Sequence, residues 1–212
     1  MSEGKENVLA AVRRALGRDH ALSEPTPRAY REDTAPHPMW DGDRVERFLQ
    51  RFEAAAGTWA RVPDAGSIPD AVAEYLSAMN PIRLRLGEHP LLTALQWPEK
   101  WEVERGPADA ADWPVAMGVA YAGLAETGSV VMPSSSERPT SLNFLPDYHI
   151  VVLKAEDVMD YMEPMWRRLT EESGGLPRAV NVITGPSRTA DVEQTIQLGA
   201  HGPRRVHLLL LG

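Results

Sequence analysis

Two stretches in the second half of the chain, HIVVLK at 149–154 and VHLLLL at 206–211, are almost unbroken in apolar residues. Successive side chains of a strand point to opposite faces, so a strand with one face in water alternates polar and apolar residues. An unbroken apolar run needs cover on both faces, the environment of a central strand in a layered, mostly parallel sheet. AVNVI at 179–183 reads the same way, as a further central strand. IRLRL at 82–86 and WEVER at 101–105 alternate apolar and charged residues, which predicts strands with one face toward water, and TWARV at 58–62 predicts another short strand.

Helical periods lie between these strands. Val45, Phe48, Leu49 and Phe52 follow Asp43 on one face. Val72, Leu76 and Met79 follow Ser67, a candidate cap, with Pro69 in the first turn. Residues 155–172 predict a helix with Val158, Met162, Met165, Trp166 and Leu169 inward, kinked or interrupted at Pro164. Strands alternating with helices imply crossover connections and an α/β fold, a layered and mostly parallel sheet flanked by helices.

The N-terminal part is different. Val8, Leu9, Val12 and Leu16 predict a short amphipathic helix over 3–17, and 18–43 is rich in proline, charge and turn formers without a period. Residues 1–43 therefore read as a helix and an extended arm, and 44–212 as the α/β domain. The arm is either a flexible tether or a segment that packs on a neighbouring copy in a homo-oligomer.

Among the 212 residues, 22 Lys and Arg face 30 Asp and Glu, a net charge of −8 that disfavours general attraction to nucleic acid or anionic lipid. No 18-residue apolar run and no signal-peptide pattern occur, so a cytoplasmic protein without a membrane span is expected. The absence of cysteine rules out disulfides, thiolate-bound zinc and an iron–sulfur cluster held by this chain. The six histidines show neither an HxxxH nor an HExxH spacing, and no metal site is expected.

Four segments could carry chemistry. ITGPSRTADVEQTIQLGAHGP at 183–203 opens like an anion cradle: Gly185 permits a tight turn after Thr184, Pro186 stiffens it, and Ser187, Arg188 and Thr189 offer donors. As the outlet of a strand in an α/β sheet, it is expected outside the carboxyl ends of the strands. Thr189 as a helix cap would place Asp191 and Glu193 in a first turn, where they disfavour a phosphate dianion and leave a small carboxylate as the better ligand. A purely structural turn, with Asp191 paired to Arg188, is the alternative. GxGxxG and GxxxxGK[ST] patterns are absent.

In AGLAETGSVVM, Glu126 sits either in a hairpin closed by Gly128 or at an apolar cleft as a general base. The hydroxyl-rich loop 133–149 lacks a GxSxG elbow, so a triad of one of its serines with Asp147 and His149 has little support, and a loop closing over a ligand fits better. His201, between Gly199 and Gly202, could carry a proton near neutrality or bond a turn carbonyl.

AETGS at 125–129, SLNFLPDYHIVV at 141–152, the 183–203 segment and the closing apolar strand resemble the LUD domain of the lactate utilization protein C (LutC/YkgG) family, over roughly residues 45–212. The resemblance implies a fold of the NagB/RpiA/CoA-transferase-like group. It also implies a part in oxidising L-lactate to pyruvate beside partner subunits that bear the iron–sulfur clusters, with no cofactor on this chain. It brings forward Glu126, Thr127 and Gly128, residues 184–189 with Asp191, and Gly199, His201, Gly202 and Pro203 as signature positions. Glu126 and His201 are the candidate catalytic residues, and Thr184, Gly185, Ser187, Arg188 and Thr189 the candidate substrate-binding set. The alternatives are a non-catalytic assembly or regulatory module of such a complex, and a phosphosugar-handling isomerase or hydrolase.

Overall fold

The structure, a computed structural model, describes residues 2–15, 37–108, 113–189, 197–198 and 202–212. The chain divides into two units, Met1–Met39 and Trp40–Gly212. The first holds helix α1 (Ser2–Ala15), on which Val8 and Val12 are exposed. Among the described residues no helix is long and apolar enough to cross a membrane.

The second unit begins with α2 (Arg44–Ala54), started by Asp43, whose Oδ1 accepts from the N–H groups of Val45 at 2.8 Å and Glu46 at 3.0 Å. Such a cap satisfies donors that have no partner inside the helix. Strand β1 (Thr58–Val62) leads through a turn to α3 (Ile68–Tyr75). Its expected cap, Ser67, makes no capping bond; Asp64 accepts from the Ser67 N–H at 3.0 Å instead. A short 3-10 turn at Ala65–Ser67 precedes the helix and moves the capping position back to Asp64.

Next come β2 (Arg83–Leu86), α4 (Pro90–Thr93), β3 (Glu102–Arg105), β4 (Val115–Val119), β5 (Ala122–Leu124), β6 (Ser129–Pro133), α5 (Ser141–Phe144) and β7 (Tyr148–Lys154). The helix expected from 155 starts later. Residues 155–157 form a 3-10 turn, β8 (Val158–Met159) pairs with β5, and α6 runs from Met162 to Ser173. Pro164 explains the delay: in a first turn its missing N–H has no intrahelical acceptor to lose, so the helix starts around it. The chain finishes with β9 (Val180–Ile183), β10 (Arg188–Thr189), β11 (Gln197–Leu198) and β12 (Arg205–Leu211).

Six strands form a wholly parallel sheet in the order β1-β12-β7-β4-β2-β3. Its two central apolar strands are covered on both faces. Ile150, Val152 and Leu209 pack with Ile68, Val72 and Leu76 of the α3 segment and with Leu92 of α4. The intervening Val151, Leu153, Leu208 and Leu210 pack with Phe48, Leu49 and Phe52 of α2 and with Val130 and Met132 of β6. Burial of each such side chain favours folding by about 1.5–3 kcal/mol. A second sheet, β8-β5-β6-β9, lies beyond, and Met165 and Leu169 of α6 close its far side against Leu124 and Val131.

This placement corrects the reading of AVNVI as a central parallel strand. β9 is the edge of the second sheet, antiparallel to β6, and is only partly covered, with Val182 38% exposed. Its run of apolar residues signals an edge that is half covered. The segment leaving it is therefore not at the carboxyl ends of the parallel strands, the expected position, but at the amino ends of β7 and β12, where the Ser187 N–H donates to the Pro203 carbonyl at 2.9 Å.

Candidate ligand cleft

Two turns from distant parts of the sequence press on the last turns of α2. Gly128, in the 125–128 turn between β5 and β6, has φ +70°, and a Cβ there would fall 2.4 Å from the Phe52 nitrogen. Gly185, just after β9, has φ +73°, and a Cβ there would fall 2.2 Å from the Ala55 carbonyl oxygen. Only glycine satisfies both the left-handed backbone and the close approach. Hydroxyls tie the turns together: Thr127 Oγ1 lies 2.7 Å from Ser129 Oγ, which lies 2.6 Å from Thr184 Oγ1. Ser129 is buried, so this chain satisfies a hydroxyl that would otherwise be costly to remove from water.

Beside Thr184 opens a cavity of about 240 Å³, lined by Asn143 and Phe144 of α5, by Thr184, Gly185 and Ser187, and by Gly202, Pro203 and Val206 at the start of β12. Three of the segments singled out in the sequence thus meet at one place. Asn143 is 4% exposed and its backbone N–H donates to the Thr140 carbonyl at 3.0 Å, which fixes its carboxamide-bearing residue at the cavity wall. Asn143 also lines a small void of about 10 Å³ shared with His89, Gly118 and Arg138. Burial, followed by the nearby Arg138, holds the His89 pKa below its usual value. His89 accepts the Leu91 N–H at 3.2 Å and so caps α4.

The other candidates are dispersed. Arg188 and Thr189 form β10, paired antiparallel with Leu198 and Gln197 of β11, so Thr189 belongs to a strand and does not cap a helix. The sequence offered hydroxyl and acid spacing there, but strand pairing took the backbone. Arg188 is exposed and makes no ion pair among the described residues. Asp191 and Glu193, and with them the pairing of Asp191 to Arg188, lie outside the described residues, as do Gly199 and His201; the neighbours Gly202 and Pro203 line the cavity. Glu126 is half-buried in its hairpin turn, where its N–H donates to the Asp160 carbonyl at 3.0 Å, toward the end of β8.

The hydroxyl-rich loop is largely occupied with holding itself. Ser134 Oγ accepts from the Ala179 N–H at 2.9 Å, and Ser141 Oγ from the Ala108 N–H at 3.0 Å. Asp147 faces Arg204 at 3.2 Å, while His149 is fully buried on β7 with neither ring nitrogen partnered, so these two do not form a relay. Burial pushes the His149 pKa down to about 4 and keeps its ring neutral. Sequence reasoning did not single out Ser129 or Asn143. A lone Asn in SLNF looks like an ordinary turn former, and nothing local shows that α5 buries it.

The layered α/β domain, with a cleft built from glycine turns at the amino ends of its central strands, defines the class of protein. The LUD domain model matches residues 45–211, and the chain belongs to that family. It is 32% identical over 117 residues to the uncharacterized protein YkgG of Escherichia coli, a match covering 52% of this chain and 51% of that protein. It is also 32% identical over 164 residues to lactate utilization protein C of Geobacillus kaustophilus, covering 69% of this chain and 68% of the relative. The chain spans about half the length of YkgG and about two thirds of the Geobacillus protein. A crystal structure of a DUF162 family protein from Deinococcus radiodurans shares the fold, with TM-score 0.61 and 18% identity, covering 81% of this chain and 100% of that one.

Proposed function

We propose that the protein is a component of a lactate utilization system and that its cleft holds a small hydroxy- or keto-carboxylate. The observation that carries this reading is the convergence of Asn143 from α5 with Thr184, Ser187 and Gly202 on one cavity of about 240 Å³. These are neutral donors and acceptors suited to one carboxylate and one neighbouring oxygen, and Arg188, next in sequence to Ser187, would add a positive charge to the same segment. Proton-carrying roles would fall to Glu126 and His201. Two relatives' names, both referring to lactate utilization, support the system to which it is assigned. As the family resemblance implies, electrons removed from lactate would pass to iron–sulfur clusters on partner subunits, which fits a chain without cysteine.

Titration calorimetry with L-lactate, pyruvate and glucose 6-phosphate tests the ligand class. Binding of the two acids is expected, with Asn143→Ala weakening it about tenfold, the equivalent of about 1.4 kcal/mol, and melting unchanged or nearly so. Arg188→Ala should weaken it less, as an exposed charge is screened by solvent. Preference for the phosphorylated sugar, or full affinity in the Asn143 variant, would overturn the reading.

A further inference from the structure

The face of the parallel sheet turned away from the cleft carries a second, differently built cavity. Side chains alternate along β12: Val206 lines the cleft, while Arg205 and His207 face the α3 side, as does Tyr148, the register partner of Arg205 on β7. Between them and the end of α3 lies a space of about 200 Å³ lined by Tyr75, Leu76, Ala78, Met79, Tyr148 and Arg205.

Its wall is preorganised. The Tyr75 ring stacks on the His207 imidazole with centroids 3.8 Å apart and planes within 7°. His207 Nδ1 shares a 2.8 Å hydrogen bond with the Thr58 hydroxyl, and Tyr148 meets Tyr75 edge-on at 6.4 Å. The Tyr75 hydroxyl is buried near Thr58; desolvation raises its pKa, the Thr58 hydroxyl opposing this only in part, so the ring stays a neutral phenol.

Charge enters from one residue. The Arg205 guanidinium lies 5.6 Å from the centroid of the Tyr148 ring and has no carboxylate partner among the described residues. Its neighbour Arg204 is paired with Asp147. An unneutralised guanidinium beside aromatic and thioether walls, on a chain of net charge −8, is a site for an anion with an apolar body. We propose that this cavity binds a small aromatic carboxylate, its ring against Tyr148 and Met79 and its carboxylate on Arg205. The space continues past Leu76 and Met79 into a broader groove reaching Trp101, so substituents on the ring have room. This site is independent of the reading of the cleft.

Saturation-transfer NMR and calorimetry on the full chain, with benzoate, benzyl alcohol and L-lactate as probes, test it. Benzoate is expected to bind and benzyl alcohol to bind at least about tenfold more weakly, since it lacks the charge. Arg205→Ala should lose benzoate affinity by about the same factor with its melting temperature kept, and Arg205→Lys should restore part of it. Asn143→Ala should leave benzoate binding intact, separating this site from the cleft. Failure of benzoate to bind at millimolar concentration, equal binding of benzyl alcohol, or unchanged affinity in Arg205→Ala would each overturn the proposal.

Discussion

Gly185→Ala is expected to destabilise the α/β domain by about 3 kcal/mol, read from urea unfolding. Two costs combine: a left-handed backbone with a Cβ costs about 1–2 kcal/mol, and the methyl placed 2.2 Å from the Ala55 carbonyl oxygen forces α2 and the turn apart at a cost of about 1–3 kcal/mol more. Gly174 supplies the control. It ends α6 at φ +63° with nothing within 4 Å of a Cβ, so Gly174→Ala should show the backbone cost alone. Equal losses in the two variants would mean that the 184–187 turn does not bear on α2. If the difference appears, the glycines of AETGS and ITGPS are explained as packing positions that hold two turns at the cleft, and no ligand is needed to account for them.

Acid should destabilise the fold well before carboxylates titrate. Burial pushes His149 and His207 down to about 4. Above the unfolded-state value of about 6.5 the rings are neutral in both states and add nothing to the pH dependence. Below it the unfolded chain takes up protons that the folded chain refuses, so stability falls from about pH 6.5 until the folded rings titrate near 4. For His149 alone the loss is about 3 kcal/mol. Glu102 and Glu172, held low by Arg83 and by Tyr121 with Arg168 respectively, act in a lower window, losing their contribution as pH falls beneath the usual carboxylate range. Unfolding free energies at a series of pH values should therefore show a steeper slope between 6.5 and 4.5 than His149→Leu does, by about 1.4 kcal/mol per pH unit. The variant should keep or gain stability at pH 7, because it removes two unpartnered ring nitrogens. Identical slopes would show that His149 is hydrated or paired in the folded protein.

Much of the scaffold was legible because it rests on local patterns. HIVVLK and VHLLLL announced two covered faces, and the alternate membership of Ile150 and Val151 in opposite cores is the physical content of that pattern. Asp43 and the Phe48, Leu49, Phe52 stripe located α2 equally directly. AVNVI was misplaced because an apolar run records burial without saying which sheet supplies it, and β9 found its partner in β6, some 50 residues away. In the cleft, Thr184, Gly185 and Ser187 were readable from their own turn. The links that make a site of them were not: Ser129 bonds Thr184 across 55 residues, and Asn143 becomes buried only once α5 settles onto β4 and β7. Tyr148 and Arg205 carried no signal either, since each stands beside a residue of a separate strand and the cavity exists only through their parallel register.

The most direct test of the central claim, that the signature turns form one cleft for a small acid, is a backbone-amide NMR titration with L-lactate and pyruvate. Shifts are expected to concentrate at Asn143, Phe144, Thr184, Gly185, Ser187 and Gly202, and to need about tenfold more ligand in Asn143→Ala. Saturating additions that leave these amides unmoved, or that move only residues outside this group, would contradict the account.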